Sequence, residues 1–283
     1  MVIFQHDSVE ARSTKAESSS VKSSAVEKRD KGEGPMMATI YTQAHQFESV
    51  QAVLFDKDGT LANVEAFLRR LATARSQAIP HQSPAFYSHL AATFGITECG
   101  IDPAGLIAVA SRQEDLIATA GCIAATGKGW IEACAIAQTA FDQADLSLSP
   151  KVSKTPLLEG VIRLISQLSA AGIKIGIVSS DAHSEVTAFI EHYCLPGINW
   201  HSGATEGSPL KTHSGFLEFA CQSLSVQPSH TLVVGDSASD LALANQGAAG
   251  FLGMVGGWTR SPAIGPDIKT VSHLSQISVS SDI

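Results

Sequence analysis

Blocks of apolar residues alternate with amphipathic stretches along most of the chain, from Ser49 onward. Short continuous apolar runs bounded by turn residues predict buried strands; these runs are 52–55, 173–178 and 231–234, with shorter candidates at 198–201 and 251–255. Apolar positions at helical spacing predict helices between most of them, at 158–171, 182–194, 215–224 and 241–246. The alternation predicts an α/β fold with a Rossmann-like, doubly wound parallel sheet that is covered on both faces.

One long segment interrupts this alternation. Residues 64–155 contain no convincing strand, and their Ala-rich pattern with Leu and Ile at helical spacing predicts helices at 64–79, 85–94, 104–125 and 130–146. We therefore expect an all-helical cap domain at 64–155, inserted into an α/β core formed by 48–63 and 156–283. Both ends of the insert lie near the same strand end, so the cap is positioned to cover that end as a lid.

The first 47 residues differ from the rest of the chain. Residues 11–34 are rich in Ser, Lys and Glu and have almost no large apolar side chain, so they cannot form a packed core. We predict that residues 1–47 are a disordered tail.

Composition restricts the classes of partner. The formal net charge is -8, only 16% of residues are charged, and no stripe of Lys and Arg is visible, which argues against nucleic-acid binding. No apolar stretch approaches the roughly 20 residues of a spanning helix, so no membrane association is expected. The five cysteines include no Cys-x-x-Cys pair, which predicts buried, unpaired thiols in a reducing compartment, the cytoplasm.

Two carboxylates stand at the end of the first predicted core strand. Asp56 and Asp58 belong to the pentapeptide Asp56-Lys57-Asp58-Gly59-Thr60, which directly follows the apolar run 52–55. In such a pair one carboxylate can attack a substrate while its neighbour transfers protons. The alternative is a polar strand-to-helix turn in which Asp58 or Thr60 caps the next helix.

Polar residues also follow the other predicted strands. Ser179 comes directly after 173–178 and is a candidate anion ligand, whereas Ser180 or Asp181 is expected to cap the helix 182–194. A lone lysine, Lys211, occupies a later loop, and by itself it would be read as a solvated charge.

A third carboxylate follows the run 231–234. Asp236 lies in the hexapeptide that begins at Gly235 and ends at Asp240. The pair Ser237 and Asp240 fits a helix capping box, but no such local role explains Asp236.

These residues fit one mechanism. Asp56 and Asp236 supply hard oxygen ligands for Mg²⁺, while Lys211 and Ser179 hold phosphoryl oxygens. Asp56 then attacks phosphorus and Asp58 protonates the leaving oxygen.

At this point the chain resembles the haloacid dehalogenase superfamily, in particular its phosphoglycolate phosphatase-like members with a helical C1-type cap. Four motifs carry the resemblance, in order and each at or after a predicted strand: the pentapeptide from Asp56, then Ser179, Lys211, and the hexapeptide ending at Asp240. The resemblance covers about 49–257. One departure is Thr212, since members commonly have proline after the motif lysine. Lys174 and Lys269 are the alternatives to Lys211 as the cation of the site.

The resemblance implies roles for individual residues. Asp56 would become an aspartyl-phosphate, and Asp58 would act as acid and then base and bind the metal through its carbonyl. Thr60, Ser179 and Lys211 would each contact the phosphate or stabilise the site. Asp236 would complete the Mg²⁺ ligands, and Asp240 would orient metal-bound water or Lys211.

The expected function is a Mg²⁺-dependent phosphatase acting on a small phosphorylated metabolite, either phosphoglycolate-like or a sugar phosphate. One alternative is a phosphohexose mutase, although Thr60 favours the hydrolase because mutases often have valine there. Another is a non-catalytic phospho-ligand binding protein. Substrate choice is expected to lie in the cap, with Arg70 and Lys128 as candidate contacts; Arg69 is the alternative to Arg70.

Overall fold

The computed structural model describes residues 36–80, 83–205 and 210–281. All of them belong to one unit, Pro35–Ile283. The strands are β1 Ala38–Tyr41, β2 Gln46–Val50, β3 Ala52–Asp56, β4 Ile96–Thr97, β5 Gly100–Ile101, β6 Lys174–Ala182, β7 Ile198–Ala204, β8 Thr231–Gly235, β9 Gly250–Met254, β10 Thr270–Val271 and β11 Ser278–Ser281. The helices are α1 Glu65–Gln77, α2 Pro84–Phe94, α3 Leu106–Val109, α4 Arg112–Ala124, α5 Trp130–Leu148, α6 Val161–Ala170, α7 His183–His192, α8 Phe216–Leu224 and α9 Ala238–Ala244.

A six-stranded parallel sheet forms the centre, in the order β10-β9-β8-β3-β6-β7. All five predicted strands are present. β3 is buried along its whole length because both of its faces are covered. Val53 and Phe55 pack into the cluster that contains residues of α6 and α7, while Ala52 and Leu54 pack into the cluster that contains residues of α8 and α9. The doubly wound α/β prediction is confirmed, and the carboxyl ends of β3, β6 and β8 meet at one edge of the sheet.

The segment between β3 and α6 is helical, as predicted, and consists of α1 to α5 with the short antiparallel pair β4–β5. The single helix predicted at 104–125 is wrong, because the chain forms two helices there. Ser111 and Glu114 make a capping box that begins α4, and the backbone at Ala110 and Ser111 is extended.

The predicted boundary of the tail is also wrong. Residues 1–35 lie outside the described residues, but β1 and β2 lie within the proposed tail or across its end. They form a three-stranded antiparallel sheet with β11. Ala38, Ile40, Phe47 and Val50 are buried there. Local composition did not reveal this sheet because β1 pairs with a strand near the other end of the chain.

Cysteine and membrane expectations have different outcomes. All five cysteines are free. Cys221 is buried, but Cys99 and Cys194 are exposed, so the prediction of buried thiols is wrong for these two. Among helices in the described ranges, none has the length and apolarity that crossing a bilayer requires.

Gly160 and Gly215 form a matched pair for testing how much a close backbone contact contributes to stability. Both precede a helix with left-handed backbone, at φ 89° and 86°. An added Cβ would lie 2.3 Å from the Ser275 backbone nitrogen at Gly160, but within 4 Å of nothing at Gly215. Both changes to alanine bring backbone strain of about 1–2 kcal/mol, and overlap adds about 1–3 kcal/mol only at Gly160.

We therefore expect Gly160→Ala to lower the free energy of unfolding, measured by urea titration, by more than Gly215→Ala does. Equal losses would show that the chain around Ser275 moves away freely.

Candidate active site

The candidate catalytic and binding residues lie together at the edge of the sheet where the parallel strands have their carboxyl ends. Asp56 ends β3 and Asp236 directly follows β8, while Ser179 is the first residue of β6 beyond its pairing with β3. Lys211 enters from the loop after β7. Together with Asp58, these side chains line a cavity of about 430 Å³ that also has residues of the helical insert in its wall.

Three buried carboxylates lie close together at this edge of the sheet. Asp56, Asp236 and Asp240 each offer an oxygen within 4.8 Å of the others. Burial, and then the neighbouring Asp240, raise the pKa of Asp236 to about 7. Burial is also the largest cause of the raised pKa of Asp56, against the opposing effect of Lys211. The negative charge of the cluster is therefore only partly compensated, as expected where a cation binds.

Lys211 supplies part of that charge. Its Nζ donates hydrogen bonds of 2.8 Å to Asp56 Oδ1 and 2.8 Å to Asp240 Oδ1. Burial alone would lower the pKa of Lys211, but the carboxylates of Asp240 and Asp56 outweigh it and raise the pKa above its ordinary value. Thr212 in place of proline does not keep this lysine from the site.

The rival cations lie elsewhere. Lys174 starts β6 at the opposite end of the strand and is exposed. Lys269 Nζ lies 4.5 Å from the centroid of the Phe47 ring.

Asp236 is held by two donors. Thr60 Oγ1 donates to Asp236 Oδ1 at 3.0 Å, and Trp258 Nε1 donates to Asp236 Oδ2 at 2.6 Å. Thr60 is fully buried and is not among the residues that line the cavity, and its hydroxyl contacts the Asp236 carboxylate. Sequence reasoning missed Trp258, for which the only signal was its position after two glycines.

The turn after β3 requires glycine at position 59. Gly59 has φ +82°, and a Cβ there would lie 2.4 Å from Trp258 Nε1. The alternative that Asp58 or Thr60 caps a helix is wrong, because α1 begins at Glu65 with Val64 at its cap position and without a side-chain cap.

A second charged network surrounds Asp58. Lys57 Nζ donates to Asp58 Oδ1 and forms an ion pair with Asp181 Oδ2 at 2.9 Å. Lys151 follows α5 on the linker back to the core, and its Nζ donates to Asp58 Oδ2 at 2.6 Å and also to Asp181 Oδ2. The two lysines therefore bind both carboxylates, with Lys57 only 1% exposed.

The pKa shifts in this network match its geometry. Burial would lower the pKa of Lys57, but Asp181 and Asp58 outweigh it and raise that pKa. Burial would raise the pKa of Asp181, but Lys151 and Lys57 outweigh it and lower that pKa. Sequence reasoning missed this network. The one sign of this network in the sequence was Lys57, a lysine between the two aspartates of the motif.

The residues after Val178 do not cap α7, which begins at His183 without a side-chain cap, so that prediction is wrong. β6 continues to Ala182 instead. Ser180 Oγ donates to the carbonyl of Val109 in the insert at 3.3 Å, and Ser179 Oγ accepts from the backbone N–H of Asp181 at 3.1 Å.

Asp240 has the two contacts expected of it. It forms the capping box of α9 with Ser237, as its Oδ2 accepts from the Ser237 backbone N–H at 3.1 Å. Its Oδ1 accepts from Lys211. The Asp240 side chain therefore both caps α9 and contacts Lys211.

The structure does not bring Arg70 and Lys128 to the cavity. Arg70 is exposed on α1, and Lys128 forms an ion pair with Glu132 one turn further along α5. Arg75 lines the cavity instead, on the buried stripe of α1. The neighbouring Arg69 donates to the carbonyl of Thr97, at 3.3 Å.

Comparisons with known proteins agree with this geometry. The family model of haloacid dehalogenase-like hydrolases matches residues 50–247. Among curated proteins, no match was found.

Several solved structures share the fold. One is described as a predicted phosphoglycolate phosphatase from Haemophilus somnus, with 20% identity, 80% of this chain and 95% of that chain covered, and a TM-score of 0.56. Another is a predicted phosphatase from Clostridium acetobutylicum, with 17% identity, coverage of 79% and 95%, and a TM-score of 0.54. A HAD-superfamily hydrolase, subfamily IA, from Geobacter sulfurreducens has 16% identity, coverage of 80% and 94%, and a TM-score of 0.51.

At these identities the structural likeness establishes the fold, while the family model spans the segment that contains Asp56, Asp58, Ser179, Lys211, Asp236 and Asp240. The chain belongs to the haloacid dehalogenase-like hydrolase family.

Proposed function

We propose that this protein is a Mg²⁺-dependent phosphatase that hydrolyses a small phosphate monoester through an aspartyl-phosphate on Asp56. The observation that carries the proposal is the placement of Asp56 and Asp58 on one cavity, each held by different lysines. Lys211 engages Asp56 Oδ1, while Asp56 Oδ2 has no hydrogen-bond partner among the described residues. Membership of the hydrolase family and the phosphatase names of structural neighbours support it.

The reaction has two steps. The step begins with Asp58 protonated: Asp56 Oδ2 attacks phosphorus, the bond from phosphorus to the ester oxygen breaks, and Asp58 gives its proton to that oxygen. A water molecule then attacks the phosphorylated Asp56, Asp58 takes the proton from this water, and the bond from phosphorus to Asp56 breaks, which releases inorganic phosphate. Lys211 and Ser179 bind the phosphoryl oxygens.

The donor set fits Mg²⁺. The carboxylates of Asp56 and Asp236, with the carbonyl of Asp58, are hard oxygen ligands of the kind that Mg²⁺ prefers. When bound, the ion neutralises charge on the phosphoryl oxygens. Asp240 already bonds Lys211 and Ser237, so its role is to orient Lys211.

Metal binding can be tested without measuring activity. Excess Mg²⁺ should raise the thermal unfolding midpoint of the wild-type protein, since a ligand at 100 times its Kd adds about 2.7 kcal/mol of stability. In Asp236→Asn the rise should disappear, because one ligand and its charge are lost. Asp267→Asn, at an exposed site, is the control. An equal rise in Asp236→Asn would contradict the assigned ligands.

The nucleophile is tested by phosphate release from a panel of small phosphate esters with Mg²⁺. We expect Asp56→Asn to lower kcat by about 10³-fold or more, because loss of a covalent nucleophile has effects of this size. Release by Asp56→Asn equal to that of the wild type would overturn the assignment. Isomerisation of a hexose phosphate with little free phosphate would indicate the mutase, and tight binding without turnover would indicate a phospho-ligand binding protein.

The role of Asp58 as the acid generates a prediction about Lys151. Loss of its 2.6 Å contact should misplace the Asp58 carboxyl, and general acids contribute about 10²–10⁴-fold where the leaving group needs a proton. Lys151→Met should therefore slow hydrolysis of an alkyl phosphate far more than that of p-nitrophenyl phosphate, whose leaving group departs unprotonated.

Lys154→Met is the matched control, because Lys154 lies on the same linker and, within the described ranges, donates only to the backbone carbonyls of residues 148–150. The same selective loss in Lys154→Met would attribute the effect to the linker as a whole.

A further inference from the structure

Among the described residues, the far wall of the cavity has four acidic and three basic side chains. This wall lies beyond Asp56, Asp58, Asp236 and Lys211 and is formed mainly by the insert and the start of α7. Its basic side chains are Arg75, Arg112 and Lys151, and its acidic side chains are Asp115, Asp145, Asp181 and Glu185.

Both arginines on this wall are already paired. Arg75 Nη1 lies 2.7 Å from Asp115 Oδ2, and its guanidinium carbon lies 4.0 Å from the centroid of the Phe141 ring. Arg112 Nε lies 2.6 Å from Asp145 Oδ2, and Arg112 Nη2 lies 2.7 Å from Asp142 Oδ1. The third cation, Lys151, is bound by Asp58 and Asp181. An anionic group on a substrate would compete with these carboxylates for the same cations.

Glu185, by contrast, has no direct ion-pair partner among the described residues. It is half-buried on α7 and lines the cavity, yet it forms neither an ion pair nor a hydrogen bond with any side chain in the described part of the chain. Burial, and then the neighbouring Asp181, raise the pKa of Glu185 against the opposing effects of Lys151 and Lys57. A carboxylate in this setting repels an anion and gains a partner when an ammonium or hydroxyl group approaches it.

We propose that the substrate's leaving group carries no second anion and presents an amino or hydroxyl group to Glu185. The proposal rests on the phosphatase function above and names its substrate class: a monophosphate ester of a small amino alcohol or polyol. Phosphoglycolate, which has a carboxylate on its leaving group, is a poor substrate on this basis. A bisphosphate is disfavoured for the same reason.

A series of equal length isolates the charge. Phosphoglycolate, 2-hydroxyethyl phosphate and phosphoethanolamine share a two-carbon leaving group that ends in a carboxylate, a hydroxyl or an ammonium group. Four-carbon homologues with the same three ends extend the reach toward Glu185. We expect kcat/KM to rise from carboxylate to hydroxyl to ammonium, with about a tenfold span at one chain length or both, which is the size of one moderate charge interaction.

Glu185→Gln separates this effect from the intrinsic reactivity of the esters. The substitution should lower the ammonium-to-carboxylate ratio of kcat/KM by about five- to tenfold, whereas Glu185→Asp should keep most of the preference. Glu191→Gln is the matched control on the same helix, because Glu191 is exposed and lies outside the cavity lining. Its ratio should equal that of the wild type. Thermal unfolding midpoints verify that all variants fold.

The outcomes distinguish the two proposals. If the wild type hydrolyses none of these esters and no p-nitrophenyl phosphate, the phosphatase function fails and the substrate class fails with it. If it hydrolyses phosphoglycolate best, or if Glu185→Gln leaves the ratio unchanged, the phosphatase function stands and the substrate class is overturned.

Discussion

One buried ammonium group connects the elements on which the site depends. Lys211 Nζ bonds Asp56 at the end of β3 and Asp240 in the first turn of α9, and Lys211 itself lies in the loop after β7. Without this charge the crowded carboxylates at the sheet edge would be strongly unfavourable, because burial favours their neutral forms. The raised pKa values of Asp56 and Asp236 show that Lys211 compensates only part of the negative charge. The remainder accounts for a site suited to a divalent cation.

A second network keeps the neighbouring carboxylate in a different environment. Asp58 contacts Lys57 and Lys151, whereas Asp56 contacts Lys211. Two carboxylates that are two residues apart in sequence therefore have different partners, which is how one fold assigns different tasks to chemically identical groups. Lys151 lies between α5 and α6, in the segment that joins the helical insert to the core. The proposed acid Asp58 therefore contacts this joining segment.

The central sheet was predictable because its physical cause is local. A strand covered on both faces must be apolar at every position, and β3 and β8 show this directly in the sequence. The parallel arrangement then brings the ends of β3, β6 and β8 together, so the meeting of Asp56, Ser179 and Asp236 followed from their positions after apolar runs. The sheet of β1, β2 and β11 was not predictable in this way, because its pairing joins segments that are distant along the chain.

By itself the sequence determined the α/β class, the central strands and the polar residues at their carboxyl ends, because periodicity and strand termination are properties of short segments. Only the tertiary structure decided which charges pair. Lys211 was an ordinary loop lysine until the fold placed it between Asp56 and Asp240. Arg75 replaced Arg70 at the cavity because the direction in which a helix turns its side chains depends on what it packs against. Glu185, which has no side-chain partner in the described part of the chain, likewise gains its meaning from its neighbours, since the charge of a cavity is a sum over residues that the chain brings together from distant positions.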